Sequence, residues 1–238
     1  MNINYIHGFD INDVEKYEGI QKSLLNGVSL KNNFNIENIN YIAGVDISYW
    51  QKDSIQFGAC SIVVINYKTK KLLKKASSFG KVSQPYIPGY LAFRELPLFI
   101  SCAKKLSYEP DIFMFDGNGY LHGNHLGIAT HASFFINKPT IGVAKSYYKI
   151  KGADFIMPGD KVFSHTDITV SGETYGRALR SKKGAKPIFI SCGNYIDLDT
   201  ATKVVINMVS KESRVPIPTR LADIETHQLR KELSNFTE

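Results

Sequence analysis

Three runs of mainly apolar residues occur in the first third of the chain, at 41–49, 57–66 and 72–79. They are rich in β-branched and aromatic side chains, and polar connectors separate them. Short runs of this kind, bounded by turns, are typical of β-strands. Since residues 66–71 read as a polar, basic turn, we expect the three strands to form an antiparallel meander.

Two segments show the spacing of an amphipathic helix. Residues 10–28 have apolar positions on one face, and Asp10 or Asn12 is expected to open the helix. Residues 89–106 have the same period but contain Pro97. Because proline lacks a backbone N–H and suits the first helical turn, we expect a short helix followed by a longer one that begins near Pro97.

The middle of the chain has the order strand, helix, strand. Residues 111–115 and 139–144 are short and apolar enough to be buried strands, and 125–136 has helical character. Strands joined through a helix pair in parallel, so this segment predicts a βαβ unit. The first of its strands ends abruptly at the sequence Asp-Gly-Asn-Gly, which begins at Asp116.

The last third of the chain returns to strands and closes with helices. A turn at 171–173 separates 167–170 from 174–179, and 186–191 is a further strand. Helices are expected at 199–210 and after Pro218. Together the patterns predict an α/β fold, a mixed central sheet with three antiparallel strands and then parallel strands, flanked by helices.

Composition limits the class of protein. The chain has 238 residues, of which 43% are hydrophobic, so it can bury a sizeable core and a disordered state is excluded. No linker rich in Gly, Ser or Pro divides it, and we therefore expect one domain over residues 1–238. The formal charge is +7 and the pI is near 9.1. This surplus suits a polyanionic partner or serves solubility, and composition alone does not separate the two.

Three cysteines, Cys60, Cys102 and Cys192, lie far apart and show no metal-ligand spacing, which argues against structural zinc and a disulfide framework. The first residues lack the pattern of a secretory signal, and no apolar run approaches the ~18–20 residues of a membrane span. We expect a cytoplasmic protein with no membrane partner.

Two carboxylates lie at informative places in the predicted sheet. Asp46 interrupts an apolar strand, and alternation places it on the face opposite Val45 and Ile47. A buried carboxylate requires a partner, which is either a salt bridge or a metal ion. Asp116 ends a buried strand and precedes Gly117 and Gly119, as in a ligand-binding loop. A hairpin turn is the alternative there, although the segment that follows is helical rather than strand-like.

Glu95 and Asp223 complete a set of acids on different elements. Each alone is typical of a solvated helix face, with Glu95 just before the expected break at Pro97. Several carboxylates that converge repel one another unless divalent cations lie between them, and oxygen ligands favour Mg²⁺ or Mn²⁺. Such sites hydrolyse phosphodiesters. The sequence does not establish that these residues converge.

Other segments carry weaker signals. In 84–95, prolines on both sides of Tyr86 and Ile87 form a rigid loop, whose tip either inserts between stacked bases or packs inward. Lys145 follows a strand near the edge expected for Asp116, where a lysine positions water, offsets phosphate charge or is simply exposed. The lysine-rich stretches 68–75 and 180–186 are phosphate-contacting candidates if they flank the acids.

Eight motifs follow one another between about residues 41 and 222. They are AGVD (43–46), PYIPGYLAFRE (85–95), FDGNGYLH (115–122), HLGIATH (125–131), PTIGVAKS (139–146), YGRALR (175–180), KPIFISCGN (186–194) and PTRLAD (218–223). In this order they resemble the endonuclease V family of inosine-specific nucleases. The resemblance implies a ribonuclease-H-like fold, which agrees with the strand pattern above.

The resemblance also implies roles for individual residues. Asp46, Asp116 and Glu95 would bind Mg²⁺, for which Mn²⁺ may substitute, and Asp223 would complete the acidic set. His122 and Lys145 would lie beside the scissile phosphate and its attacking water. The strand-separating wedge would comprise Pro85, Tyr86, Ile87 and Pro88. The flipped hypoxanthine would occupy a pocket near Leu91, Gly117 and Gly119, where backbone groups read the base edge.

The implied reaction is hydrolysis of the second phosphodiester 3′ to inosine in DNA or RNA, which leaves a 3′-hydroxyl and a 5′-phosphate. The enzyme would act as a monomer without an obligate protein partner, in nucleic-acid repair. Residues 123–125 depart from the family, because an expected arginine is missing and His125 or nearby lysines would replace it. Tyr90 stands where a smaller aliphatic is common. The alternatives are another ribonuclease-H-like nuclease that is structure-selective and a non-catalytic inosine-binding module.

Overall fold

A computed structural model describes residues 1–10, 13–153 and 155–234. Eight strands form one mixed sheet in the order β3-β2-β1-β4-β5-β8-β7-β6. The strands are β1 (Tyr41–Lys52), β2 (Ile55–Asn66), β3 (Leu72–Lys81), β4 (Ile112–Phe115), β5 (Thr140–Ala144), β6 (His165–Val170), β7 (Glu173–Leu179) and β8 (Ile188–Asn194). The α-helices are α1 (Val14–Leu25), α2 (Leu91–Ala103), α3 (Ile128–Ile136), α4 (Leu198–Met208) and α5 (Ile217–Ser234).

The antiparallel meander is confirmed, and its strands are longer than the sequence predicts. β1 pairs with β2 along its whole length, and β2 pairs with β3. A two-residue turn joins β1 to β2, and both of its residues, Asp53 and Ser54, have positive φ angles of 49° and 62°. Such turns match the right-handed twist of paired strands, so both strands continue to the hairpin tip.

The βαβ unit is also confirmed. β4 lies parallel to β1 and to β5, with α3 in the connection between β4 and β5. The helix begins at Ile128 rather than at His125, because the φ of His125 is +56° and Gly127 is the N-cap. Beyond β5 the sheet is antiparallel again, since β5 pairs with β8, β8 with β7 and β7 with β6.

The expectation of two helices around Pro97 is wrong. α2 is a single helix from Leu91 to Ala103, and Pro97 lies inside it. Proline removes one backbone hydrogen bond from a helix interior. Ten of the 13 residues of α2 are buried against the sheet and α3, and this packing holds the helix together across the proline.

The first helix begins later than expected. The Asp13 side chain accepts a hydrogen bond from the Glu15 N–H and caps α1, whereas Asp10 lies in the preceding segment. Asn12, the other expected cap, lies outside the described residues. None of the helices in the described part of the chain is long and apolar enough to span a membrane.

Two apolar layers cover the two faces of the sheet. One contains Val45, Phe99 and Phe135 and packs under α2 and α3. The other contains Ile42 and Val205 and packs under α4 and α5. Because side chains alternate along β1, Asp46 faces the second layer, which confirms the side expected from Val45 and Ile47.

Candidate active site

Asp46 lies where β1 contacts the last helix. The Thr226 hydroxyl donates a hydrogen bond to Asp46 Oδ2 over 2.6 Å, and the Ser48 hydroxyl donates to the Thr226 carbonyl over 3.0 Å. Gly44 permits this approach, because a Cβ there would lie 2.1 Å from the carbonyl carbon of Pro218. A strand and a helix that are distant in sequence thus fix one carboxylate.

Asp116 and Lys145 end two neighbouring parallel strands, as the sequence predicts. The Asp116 N–H donates to the Val45 carbonyl over 2.9 Å, which continues the strand pairing by one residue. Lys145 Nζ lies 2.5 Å from Asp116 Oδ2 and 2.6 Å from Asp223 Oδ1. The hairpin alternative for Asp116 is wrong, because a hairpin joins antiparallel strands and β4 pairs in parallel with both of its neighbours, β1 and β5. One ammonium group therefore joins an acid of the sheet to an acid of α5.

Glu95 approaches the same region from the other layer. It lies in the buried middle of α2 rather than at a helix break, which corrects the expected position. The Tyr49 hydroxyl donates to Glu95 Oε1 over 2.9 Å. The guanidinium of Arg94 lies 4.6 Å from the centre of the Tyr49 ring. Tyr49 thus positions Glu95, and Arg94 packs on the ring of Tyr49; neither residue was identified from the sequence.

The pKa values show that the acids crowd one another. Burial, followed by the charge of Asp116, raises the pKa of Asp46 to about 7, although the Thr226 hydrogen bond and Lys145 oppose the rise. Burial raises the pKa of Glu95 to about 8, and the charges of Asp46 and Asp116 add to this shift. Burial alone would lower the pKa of Lys145, but Asp116 and Asp223 together hold it above its ordinary value. One lysine does not compensate the negative charge of the group.

A possible metal-ligand group overlaps this set. In the described part of the chain, Asp46, Asp223 and His227 each offer an atom, and these atoms lie within 4.8 Å of one another. The group does not include Asp116 or Glu95, although the charge of Asp116 helps to raise the pKa of Asp46 and the charge of Asp46 helps to raise that of Glu95. His227 was not identified from the sequence, although its position four residues after Asp223 on a helix places both on one face.

His122 lies in the loop after Asp116. Burial, and then the charge of His125, lowers the pKa of His122 to about 4, so its imidazole is neutral at pH 7. The Asn124 N–H donates to His122 Nδ1 over 3.2 Å, which places the proton of the neutral ring on Nε2. The ring stacks on Tyr148 with centroids 5.5 Å apart. His122 is therefore a fixed, neutral donor.

The loop at 85–88 is exposed at its tip and anchored at its base. Tyr86 is 67% exposed, and Pro85 and Pro88 are exposed as well, so the inward-packing alternative is wrong for Tyr86. The buried Gln84 accepts a hydrogen bond from Tyr17 and donates one to the Phe9 carbonyl. Such a loop presents an aromatic tip without losing its position.

The Asp-Gly-Asn-Gly segment lies across β5. A Cβ on Gly142 would lie 2.4 Å from the Gly119 nitrogen, and one on Gly119 would lie 2.2 Å from the Cys192 carbonyl oxygen. The Gly119 N–H donates to Ser191 Oγ over 2.8 Å. A Cβ on Gly117 would lie 2.9 Å from a methyl group of Ile128. Close approach of backbone segments explains why these positions are glycines.

Two residues that depart from the family pattern, Tyr90 and His125, pack against other side chains. Tyr90 is the N-cap residue of α2, and its ring lies 5.6 Å from that of Tyr17 on α1. His125 stacks on Tyr120 with ring centroids 4.0 Å apart, and it lies 3.9 Å from Glu173. The histidine is thus engaged by protein neighbours rather than presented to a phosphate.

One residue of the basic stretch 68–75 contacts the last helix. Lys75 forms an ion pair with Glu225, which lies two residues after Asp223 on α5. Near the stretch 180–186, Arg214 donates to the carbonyls of Pro187 and Lys145. The phosphate-contacting role of the two stretches stays a prediction.

Known proteins match this chain over nearly its whole length. The endonuclease V family model matches residues 22–224. Endonuclease V of Bacillus thuringiensis subsp. konkukian is 57% identical over 220 residues, 92% of this chain and 94% of that protein. The crystal structure of the Bacillus subtilis endonuclease V has a TM-score of 0.96 at 51% identity and covers 98% of this chain and 99% of that chain.

A further structure, of Ciona intestinalis endonuclease V, contains a 24mer DNA with an inosine followed by a ribo-adenosine. It is 28% identical with a TM-score of 0.80, and the match covers 92% of this chain and 98% of that chain. The family model and the relatives span the strands and helices that carry all four acids. This chain belongs to the endonuclease V family.

Proposed function

We propose that this protein is a metal-dependent endonuclease that cuts a nucleic-acid strand near an inosine. The observation that carries the proposal is the mutual electrostatic influence of Asp46, Glu95, Asp116 and Asp223 from four elements, with Lys145 paired to Asp116 and Asp223. Buried carboxylates with raised pKa values are typical of functional sites rather than of structural ion pairs. Family membership supplies the class of reaction.

The donor set fits a divalent cation. Asp46, Asp116 and Glu95 are the proposed ligands of Mg²⁺, with Mn²⁺ as a substitute, and Asp223 and His227 adjoin Asp46 on the α5 side. A cation held among these oxygens would relieve the repulsion that raises the pKa values of Asp46 and Glu95. When bound, such an ion supplies activated water and stabilises the leaving oxygen.

The chain's own residues orient the reacting groups. Lys145, held between Asp116 and Asp223, places a positive charge where the scissile phosphate would lie. His122 keeps its proton on Nε2 at neutral pH and serves as a hydrogen-bond donor to a phosphate oxygen or the water. Thr226 holds Asp46 in one orientation. These residues require no covalent intermediate, and hydrolysis is direct.

Recognition would combine a wedge and a pocket. The exposed Tyr86, with Ile87 between two prolines, would fill the gap left by the flipped base. The base would lie near Leu91, Gly117 and Gly119. Since Gly119 already uses its N–H on Ser191 and its carbonyl on Gly127, it would contribute shape rather than a hydrogen bond to the base.

The proposed substrate is DNA or RNA with inosine, and the proposed cut is the second phosphodiester on the 3′ side. The products would be a 3′-hydroxyl and a 5′-phosphate, with the base retained. The Ciona relative was crystallised with inosine-containing DNA, which supports this class of substrate. We place the reaction in nucleic-acid repair in the cytoplasm, carried out by a monomer.

A cleavage assay tests the proposal directly. Single-stranded DNA and RNA oligonucleotides, each with one inosine, are incubated with Mg²⁺ beside matched adenosine controls. We expect a cut one nucleotide 3′ of the inosine that disappears with EDTA. Binding without cleavage would identify a non-catalytic inosine reader instead. Cutting that ignores inosine would identify a structure-selective or general nuclease.

A further inference from the structure

Three aromatic side chains form a surface at one end of the sheet, on the face that carries Asp46. Residues that are two or four positions apart on a strand point to the same face, so Asp46 and Trp50 of β1 share a face. Trp50 lies opposite Phe57 of β2. Phe79 of β3 lies opposite Ala59, which in turn lies opposite Ser48. We call Trp50, Phe57 and Phe79 the aromatic surface.

Within the described residues, the last helix does not extend over this surface. α5 covers Asp46 and Ser48 through Thr226, and it is described as far as Ser234. Leu233, near its end, borders a cavity of about 520 Å³ that the aromatic surface lines. Phe79 is 61% exposed. Exposed apolar surface of this kind in a folded protein is typical of a binding site.

The geometry of the aromatic surface suits flat ligands. The rings of Trp50 and Phe57 stack with centroids 5.7 Å apart and an angle of 15° between their planes. The cavity volume lies within the roughly 300–1,000 Å³ of small-molecule sites. Nucleobases are flat and aromatic, and proteins bind unpaired bases on such platforms without a requirement for sequence.

The charge and position of the surface indicate a nucleic-acid strand. Lys52 and Lys81 line the cavity beside the rings, with Asp53 the one acid there, as expected for a platform next to a phosphodiester backbone. Four residues separate Asp46 from Trp50 on β1, which is roughly 13 Å along a strand. The wedge loop also begins here, since the Val82 N–H donates to the Gln56 carbonyl over 2.8 Å. A strand that passes the acids and the wedge reaches this surface next.

We propose that the aromatic surface stacks unpaired bases of the substrate strand that flank the cleavage site. This inference rests on the proposed function, because it places the cut strand at Asp46. It assigns the enzyme a contact outside the inosine pocket, and it predicts a preference for substrates with single-stranded flanks. Trp50 and Phe79 supply stacking area, and the lysines contact the phosphates between the stacked bases.

Trp50 is the only tryptophan of the chain, so its fluorescence reports on this surface alone. The metal-free protein is titrated in EDTA with a short inosine oligonucleotide that spans only the cleavage site. It is then titrated with oligonucleotides extended at the 5′ or the 3′ end by about four to eight unpaired nucleotides. We expect quenching of Trp50 by the oligonucleotides extended at one end and little by the short one. Equal emission throughout would overturn the proposal.

Variants separate stacking from folding. Phe79→Ala should weaken binding of the extended oligonucleotide, relative to the short one, by about 5- to 100-fold, and Phe79→Trp should largely preserve it. Tyr108→Ala is the matched control, because Tyr108 is 38% exposed and precedes β4, whose opposite end leads to Asp116. An equal loss for both oligonucleotides in Phe79→Ala would mean that Phe79 only supports the fold, and the proposal would fail.

Other outcomes identify other occupants. Trp50 emission that changes with protein concentration alone would assign the surface to a second copy of the chain. Emission that shifts without nucleic acid when the chain ends at residue 234 would assign it to the chain's own last four residues. Either result overturns the proposal. Cleavage of the short inosine oligonucleotide in Mg²⁺ separately tests the proposed function, so the failure of one is distinguishable from failure of the other.

Discussion

Two groups of carboxylates in this protein have opposite electrostatic environments. Asp167 and Asp199 face Arg177, whose guanidinium donates to their oxygens over 2.6 and 2.9 Å. The other group comprises Asp46, Glu95, Asp116 and Asp223, and the Lys145 ammonium contacts two of its members, Asp116 and Asp223. Burial of Arg177 would lower its pKa, but the hydrogen bonds that it donates to both carboxylates raise the pKa above the ordinary value. In the four-acid group, by contrast, two carboxyl pKa values rise to about 7 and 8.

The difference separates a structural role from a functional one. Around Arg177 the buried charge is the cation, whereas Asp167 and Asp199 reach solvent and are hydrated. Around Lys145 the buried charges are the acids. Folding buries these carboxylates near one another, which lowers the stability of the folded protein. An arrangement that costs stability at strand ends persists because a ligand compensates it. The four-acid group is therefore the proposed site, and the Arg177 group ties β6, β7 and α4 together.

The largest expected effect is on the four-acid group. Asp116→Asn should lower Mg²⁺-dependent cleavage at least ~100-fold, since it removes a proposed ligand oxygen charge and a partner of Lys145. Thermal stability should not fall, because one of several repelling charges disappears. Single-turnover cleavage and a melting curve measure the two effects. A variant that cleaves at nearly the normal rate would contradict the assignment of Asp116.

A second change keeps every acid and removes only the support of Asp46. Thr226→Val deletes the hydrogen bond to Asp46 Oδ2 and should weaken metal binding about 10-fold. Titration with Mn²⁺, followed by calorimetry or by electron paramagnetic resonance of the free ion, measures this without catalysis. Thr226→Ser retains the hydroxyl and should restore the affinity. An unchanged Mn²⁺ affinity in Thr226→Val would show that Thr226 only packs α5 against β1.

The Arg177 group should respond in stability and not in cleavage. Asp167→Asn removes the carboxylate charge that pairs with Arg177 and should lower the free energy of unfolding by about 1 kcal/mol, a modest figure because Asp167 is partly exposed. Denaturant unfolding measures the loss. The cleavage rate at saturating Mg²⁺ should equal that of the unchanged protein. A large loss of cleavage would mean that the two groups are not independent.

The smallest expected effect is on how the stability of the metal-free protein depends on pH. Asp46 and Glu95 titrate near pH 4 when unfolded and near 7 and 8 when folded, so the folded chain binds more protons between these values. Their contribution to stability is complete below about pH 4 and is lost as the pH rises toward 8. Mg²⁺ should reduce this decline because it favours the charged carboxylates.

Melting temperatures at several pH values, with EDTA or with Mg²⁺, measure this effect. Glu95→Gln serves as the control, and its decline near pH 8 should be smaller. A melting temperature that falls less from pH 6 to pH 8 in metal-free Glu95→Gln than in the metal-free unchanged protein fits the expectation. The reverse order would show that Glu95 is ionised in the folded state at neutral pH.

Patterns of neighbouring residues predicted most of the sheet, because side-chain alternation and turn formation depend on residues that are close together in the sequence. Alternation and turn residues placed β1 to β3, and the strand-helix-strand order placed β4 and β5 in parallel. That placement alone puts Asp116 and Lys145 at one edge of the predicted sheet. The prediction failed at Pro97, where local helix chemistry favours a break. Burial of α2 against the sheet overrides that preference, and no single segment contains this information.

The sequence alone determined the fold class, the basic charge, the proline-flanked loop, the place of Asp46 within a strand and those of Asp116 and Lys145 at strand ends. Tertiary structure decided which groups meet. Thr226 and Asp46 are 180 residues apart, and α5 reaches β1 only because Gly44 leaves room for Pro218. The raised pKa values likewise arise from burial and from charges on other elements. Electrostatic and packing energies depend on distances in space, which spacing along the chain does not specify.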